Sequence, residues 1–134
     1  MASLDEANEV IGPADAQGYR RFADFARRLY ELERHDFIDR NLDSPLDLLR
    51  PSLAKLVGLG GFRRLDAKVG SFFADDRLRR IFTFQAMYAG RSPYDALAIF
   101  AVIAYMDCVA GVWFPDGGMH AVPVALAGAA AKHG

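Results

Sequence analysis

QGYRRFADFARRLYELERHDFI, residues 17–38, is the stretch that decides the fold class of this 134-residue chain. Apolar residues recur in it at steps of three and four, at Phe22, Phe25, Leu29 and Leu32. This spacing places them on one face of an α-helix. The other face carries arginines with acidic residues interleaved among them, a pattern typical of a solvated helix face rather than a phosphate-binding patch. The stretch therefore predicts an amphipathic helix that packs on a core by one side.

Three segments that follow have the same helical period. Their apolar stripes are Leu46, Leu49, Leu53 and Leu56, then Phe62, Leu65, Val69 and Phe72, then Leu78, Ile81, Phe82, Gln85 and Tyr88. We expect Ser44 to cap the first of these helices, with a kink or short break near Arg50, because Pro51 cannot donate a backbone hydrogen bond. We expect Asp75 to cap the third helix and Gly90 to end it in a left-handed conformation.

The C-terminal part begins with an unbroken apolar run. All eleven residues of 96–106 are apolar, and a helix that is apolar all round must be buried on every side. A short β-strand is predicted near Val112–Phe114, a tight turn at Gly117–Gly118, and a last helix over 120–133. The sequence thus predicts a mainly α fold, a bundle of about six to seven helices with one short β-strand.

Charged residues are divided unevenly along the chain. Residues 1–80 contain 14 of the 16 basic and 14 of the 17 acidic residues, whereas residues 81–134 contain 5 charged residues in 54. We interpret the chain as a single helical region, 1–134, with a charged part, 1–80, and an apolar part, 81–134. The apolar part has too few charges to form a polar surface of its own. We expect this apolar part to be covered by one of four things: the rest of the same fold, a partner chain, a membrane surface or an apolar ligand.

The composition excludes several kinds of site. A net charge of −1 gives no basis for nucleic-acid binding, and a single cysteine with three widely spaced histidines rules out a Cys-based zinc site. The glycines of 58–61 do not follow the order of a dinucleotide-binding loop. His120 has no Ser or Cys pair beside it, and we interpret Asp107 and Cys108 as structural residues. No catalytic residue and no metal site is predicted.

The sequence also indicates a location. Acidic residues follow Met1, instead of the basic residues and apolar stretch of a signal peptide. The apolar run of 96–106 is shorter than the roughly 20 residues that a membrane-spanning helix needs. We therefore expect a cytoplasmic protein, with peripheral attachment to the inner face of the membrane as an open alternative.

Five stretches of the chain resemble one enzyme family. They are GYRRF at 18–22, FIDRN at 37–41, FFADDRLRR at 72–80, FTFQAMYAG at 82–90 and FPDGGMHA at 114–121. In these residues the chain is similar to the bacterial phytoene desaturases, FAD-dependent carotenoid desaturases of the amine-oxidase-like flavoprotein superfamily. Members of that family are much longer. The resemblance implies a central fragment, part of the substrate domain of a larger α/β flavoprotein, without the FAD-binding domain.

The resemblance also implies a role for the aromatic residues of the apolar part. In the family, a hydride passes from a long hydrophobic polyene to the flavin, at the membrane surface where the polyene dissolves. The fragment would then wall a hydrophobic substrate tunnel, whose candidate lining is Phe82, Gln85, Tyr88, Phe100, Tyr105, Trp113 and Phe114. Gly117 and Gly118 would form a turn near the flavin. Asp116 stands where family members usually have Lys or Arg, which argues against contact between this turn and an anionic group.

These implications set the expected ligands and partners. We expect FAD in the full-length family protein and none bound to this fragment, which alone should be inactive. The expected partners are the polyene substrate and either the remainder of the flavoenzyme or a second copy of the chain. The alternative is a stand-alone helical module that binds a lipid or another protein through its apolar part.

Overall fold

A computed structural model describes residues 12–39, 41, 43–44 and 50–133 of the chain. Within these residues it contains six α-helices: α1 (Pro13–Glu33), α2 (Pro51–Leu59), α3 (Leu65–Gly70), α4 (Asp76–Thr83), α5 (Ala101–Ala104) and α6 (Ala121–His133). Turns of π-helix extend α1 through Arg34–Ile38 and α5 through Tyr105–Ala110, and 3₁₀ turns form Phe84–Ala89 and Ala98–Phe100. The described residues form no sheet, so the predicted mainly α class is confirmed.

The helix predicted from residues 17–38 forms as α1 with its π-helical extension. Phe22, Ala26 and Leu29 are fully buried, and they lie on the side of α1 that the spacing predicted. The Phe22 ring lies 4.7 Å from the Phe82 ring and 5.6 Å from the Phe73 ring, measured between centroids. This aromatic cluster joins α1 to α4 and forms the centre of the core.

The N-terminal half of α1 is attached to the loop that precedes α4. The Asp15 carboxylate accepts hydrogen bonds from the Ala74 amide at 2.7 Å and from the Asp75 amide at 3.2 Å. One turn later, Gly18 lies directly against the Phe72 carbonyl group, with no room between them for a Cβ atom. The helix and the loop therefore approach each other more closely than a side chain at position 18 would allow.

The expected helix ends are largely confirmed. The Asp75 side chain accepts a hydrogen bond of 2.7 Å from the Arg77 amide at the start of α4. Gly60 ends α2 and Gly90 ends the 3₁₀ turn after α4, both with the left-handed φ values of +79° and +66°. The break expected near Arg50 is confirmed, because Arg50 is extended and α2 begins at Pro51. The part of the expected helix in 45–49 lies outside the described residues.

The run 96–106 does not form one continuous helix, contrary to the prediction. Leu97 is extended, and the segment around it pairs by backbone hydrogen bonds of 2.8 Å, from Leu65 to Ala96 and from Ala98 to Arg63. Helix begins only after this contact. The small Ala96 and Ala98 side chains, both fully buried, let the backbone lie against the segment before α3. An all-apolar run carries no periodicity that would have revealed the break.

The strand predicted near Val112–Phe114 is also not formed. These residues have no regular secondary structure, because a strand needs a neighbour to complete its hydrogen bonds, and the described residues pair none with them. The prediction rested on their β-propensity, which reflects packing on a half-buried surface. Their side chains are exposed instead.

None of the helices in the described ranges is long and apolar enough to cross a membrane. The last helix, α6, has thirteen residues and a mostly apolar sequence, with Pro123 in its first turn as the sequence predicts. Its side chains are exposed along nearly its whole length, and no residue of α6 is buried. This helix therefore contributes little to the core.

We predict that Gly18→Ala lowers the free energy of unfolding by about 1–3 kcal/mol, the usual cost of overpacking, because the new methyl group overlaps the Phe72 carbonyl. Urea denaturation followed by circular dichroism measures the change. The matched control is Gly128→Ala in α6, where nothing lies within 4 Å of the new Cβ atom. An equal loss in both variants, or none in either, would contradict the prediction.

Candidate functional site

Large apolar side chains are exposed mainly in the second half of the chain. Of seventeen such exposed side chains in the described residues, thirteen lie between residues 84 and 126. We call these thirteen the exposed apolar set: Phe84, Met87, Tyr88, Tyr94, Met106, Val109, Val112, Trp113, Phe114, Met119, Val122, Val124 and Leu126. Scattered exposed apolar residues are ordinary, but a concentration of this kind marks an interaction or binding surface.

Three of the predicted tunnel-lining residues belong to this set. Trp113 is 90% exposed, Phe114 74% and Tyr88 70%. Tyr88 has the Phe84 ring as an aromatic neighbour, with the centroids 6.2 Å apart. These residues are open to solvent and are free to contact a ligand or another polypeptide.

The other four lie in or beside the core. The Phe82 ring stacks on Phe73, with centroids 5.0 Å apart and 14° between the ring planes. Tyr105 stacks on Tyr30 at 5.0 Å, and Phe100 packs against the core while remaining partly exposed. Gln85 is buried. Of the seven predicted residues, three are therefore exposed and four lie in the core or pack against it.

A small polar cluster joins the segment after α4 to the π-helical turn after α5. The buried Gln85 amide donates a hydrogen bond of 3.1 Å to the Asp107 carboxylate, while the Gln85 Oε1 atom has no partner within the described ranges. An amide NH₂ group donates and a carboxylate accepts, so the chemistry of the pair fixes the orientation of the Gln85 side chain. Asp107, interpreted from the sequence as structural, here holds the π-helical turn after α5 against the segment after α4.

Cys108 lies next to Asp107 in an exposed position, in surroundings that disfavour its thiolate form. Partial burial raises the pKa of the Cys108 thiol, and the nearby Asp107 charge raises it further, while a hydrogen bond from Gln85 acts in the opposite direction. Burial also raises the pKa of Tyr19, with a smaller contribution from Cys108. Because the thiolate is the nucleophilic form, this environment favours a structural role over nucleophilic catalysis.

The glycine turn forms as the sequence predicts. The Gly118 amide donates to the Pro115 carbonyl at 3.0 Å, and Gly117 and Gly118 have positive φ values of +81° and +87°. The left-handed conformation explains the choice of glycine at both positions. A Cβ atom at Gly118 would meet nothing within 4 Å, so the backbone here is open on one side.

The histidines provide no metal site in the described part of the chain. His35 and His120 are exposed and lie on different elements. No group of three or more potential metal ligands occurs among the residues that the structure describes.

One residue with an unusual environment was missed by the sequence analysis. Glu33, the last residue of α1, has a buried carboxyl oxygen to which no described residue offers a hydrogen bond. The signal was present in the sequence, because Glu33 follows Leu29 by four residues and so continues the apolar stripe of the helix. An acidic residue on the apolar face of a helix is unusual, and the spacing alone identifies Glu33 as such a residue.

Comparison with known proteins gives a consistent set of relatives. The family model for flavin-containing amine oxidoreductases matches residues 6–134. The chain is 58% identical to a phytoene dehydrogenase from Streptomyces griseus over 134 residues, which is 99% of this chain and 26% of that protein. It is 35% identical to a zeta-carotene-forming phytoene desaturase from Myxococcus xanthus, over 100% of this chain and 26% of that protein.

The chain is also similar to a fungal protein with a related name. The chain is 37% identical to a phytoene desaturase from Cercospora nicotianae, over 82% of this chain and 18% of that protein. The chain therefore spans about a quarter or less of the length of these relatives.

We predict that the Cys108 thiol titrates above its ordinary pKa, and that its two neighbours shift it in opposite directions. Asp107→Asn should lower the pKa, because it removes a negative charge that opposes the thiolate, and Gln85→Leu should raise it, because it removes a donor. The rate of alkylation by iodoacetamide as a function of pH, followed by intact mass, measures each value. Asp116→Asn in the exposed turn is the control, and shifts of the same sign in both variants would refute the assignment.

Proposed function

The chain belongs to the family of flavin-containing amine oxidoreductases, and from this membership we propose that it is the substrate-side helical region of an FAD-dependent, phytoene-desaturase-like oxidoreductase. The observation that carries the proposal is the match along the whole chain to relatives named for phytoene desaturation. Such an enzyme would introduce double bonds into a long polyene precursor in carotenoid biosynthesis.

The exposed apolar set supports this role. A long hydrocarbon gains about 25 cal/mol for each Å² of its surface that is removed from water, so its binding site must offer extensive apolar contact. Trp113, Phe114 and Tyr88 present large apolar side chains with no cover from the described residues. We propose that they line one wall of the hydrophobic substrate tunnel and that the remainder of the flavoenzyme supplies the other wall.

The described residues do not fit FAD by themselves. A dinucleotide site needs a strand, a glycine-rich turn and a helix in succession, and the described residues form no sheet. The turn at Gly117–Gly118 is open rather than shaped around a ligand. Bound FAD would supply the acceptor for the hydride, and this chain's own residues would contribute apolar contact and exclusion of water from the polyene.

The core residues have a supporting part in the proposal. Phe82 lies in the aromatic cluster with Phe22 and Phe73, and Tyr105 stacks on Tyr30, so these rings fix the positions of α4 and the π-helical turn after α5. Gln85 links the same two regions through Asp107. We propose that they act on substrate binding by holding the exposed aromatic residues in place.

A second candidate function rests on the same surface. The exposed side chains of α6 and of residues 112–114 would also suit a stand-alone module that associates with itself, with a lipid or with the inner face of a membrane. This reading requires no further protein domain. It predicts that the chain alone self-associates or binds lipid.

We predict that this chain can replace the corresponding region of the Streptomyces griseus relative without loss of its flavin or of phytoene desaturation. Trp113→Ala and Phe114→Ala in the chimera should each lower the desaturation rate severalfold while FAD content stays constant, because each removes exposed aromatic contact. Product analysis by liquid chromatography and flavin absorbance provide the two measurements.

The control in the chimera is Val57→Ala, which truncates an exposed apolar side chain of α2 outside the exposed apolar set. It should leave the rate unchanged. A chimera that holds FAD but does not desaturate phytoene, or equal losses in all three variants, would count against the proposal.

We further predict that the isolated 134-residue chain associates through its exposed apolar set when the remainder of the flavoenzyme is absent. Size-exclusion chromatography with light scattering should show species larger than a monomer, and Trp113→Ser should reduce them. Sedimentation with liposomes separates the membrane alternative. A monomeric chain that does not sediment with liposomes would contradict this prediction and would also exclude the stand-alone module.

A further inference from the structure

A cavity of about 300 Å³ lies beside the C-terminal end of α1. Its described lining consists of Glu33, Phe37, Leu53, Leu56, Phe62 and Ile99. Five of these six are apolar, and none belongs to the predicted tunnel lining or to the exposed apolar set. A mainly apolar cavity with one polar group, at the small end of the ligand-sized range, is typical of a small-molecule site.

Glu33 is the exceptional member of this lining. Its Oε1 atom is buried and has no hydrogen-bond partner among the residues that the structure describes. Burial raises the pKa of the Glu33 carboxyl to about 8, so at pH 7 most molecules carry the proton and present an O–H donor. Buried polar groups without a partner are rare in folded proteins, and each calls for an explanation.

Neighbouring charges do not provide that explanation. The charged or titratable groups described on the surrounding elements and at their ends include Arg28, Tyr30, Glu31, Arg34, His35, Asp39, Arg50, Lys55 and Arg63. None of them contributes to the Glu33 pKa, for which burial is the resolved cause. Arg34, the nearest along the chain, is paired with Asp39 at 3.3 Å. Among the described residues, no charged group accounts for the unpaired Glu33 Oε1 atom.

We propose that this cavity binds a small, neutral, mainly apolar molecule that carries one carbonyl oxygen, which accepts a hydrogen bond from the protonated Glu33. The apolar body of the ligand would contact Leu53, Leu56 and Ile99. This site is separate from the proposed substrate tunnel and does not depend on it.

The apolar lining and the protonated Glu33 favour a ligand with a carbonyl oxygen over an amine or a pure hydrocarbon. An amine would take the Glu33 proton and leave a charged pair in apolar surroundings, where the loss of hydration opposes binding. A pure hydrocarbon would fill the space but leave the buried carboxyl without a partner. A carbonyl oxygen satisfies the donor and adds no new donor that needs a partner of its own.

Acetophenone and isopropylbenzene provide a matched pair of probes, because they have the same number of non-hydrogen atoms and differ mainly in the carbonyl oxygen. The experiment follows the methyl signals of Leu53, Leu56 and Ile99 in NMR spectra of the 134-residue chain during titration with each probe. We expect saturable shifts of these signals, with tighter binding of acetophenone at pH 7.

The pH dependence tests the role of the proton. The ligand requires the protonated carboxyl, so binding is complete below the Glu33 pKa and is lost as the pH rises through it. Acetophenone should bind roughly tenfold more weakly at pH 9 than at pH 7, because the protonated fraction falls by that factor around a pKa of about 8. Isopropylbenzene should bind equally at both pH values.

Variants complete the test. Glu33→Gln keeps a donor that cannot ionise, so this variant should bind acetophenone equally at pH 7 and pH 9. Glu33→Leu has no donor, so it should bind acetophenone no more tightly than isopropylbenzene. Glu31→Gln, an exposed acid on the same helix, should change nothing. Equal binding of both probes at both pH values, or the absence of shifts at the three methyl groups in a folded sample, would overturn the proposal.

Discussion

The attachment of α1 to the loop before α4 is the constraint on which the described fold depends. Gly18 allows the helix to approach the Phe72 carbonyl group, and Asp15 accepts two hydrogen bonds from the backbone just beyond it. This close approach brings Phe22 into the aromatic cluster with Phe82. Because the same helix also contacts α2 and α5 further along, its position at this loop fixes where those elements can pack.

Most of the helices could be predicted from the sequence because polar residues mark their phase. The stripe of α1 and the Asp75 cap are examples, since each places an apolar or capping residue where the structure needs it. The run 96–106 could not be resolved in the same way. With no polar residue in it, nothing indicates which side faces solvent, and the extended segment at Leu97 depends on a distant backbone partner before α3.

The candidate site was harder to predict than the fold, because composition does not separate core aromatics from exposed ones. Phe82 and Trp113 both lie in an apolar region of the sequence, yet one is buried and the other is 90% exposed. Phe82 follows Leu78 by four residues on an amphipathic helix, and that phase places it inside. Trp113 lies in an irregular segment that pairs with no strand in the described part of the chain, so its exposure depends on an absence of contacts that sequence patterns do not encode.

Two features of this chain are unusual for a folded protein: the exposed apolar set and the buried carboxyl oxygen of Glu33. Each would be satisfied by a different kind of ligand or partner. The exposed apolar set needs contact but offers few polar groups, which suits an extended hydrocarbon or another polypeptide of the same enzyme. Glu33 lines a small, mainly apolar cavity and has a buried oxygen without a hydrogen-bond partner among the described residues, which a long polyene has no group to satisfy. Local rules are broken in native proteins chiefly where function requires it. A single ligand cannot both cover the exposed apolar set and give Glu33 its hydrogen bond. We therefore regard the proposed substrate tunnel and the Glu33 cavity as separate sites.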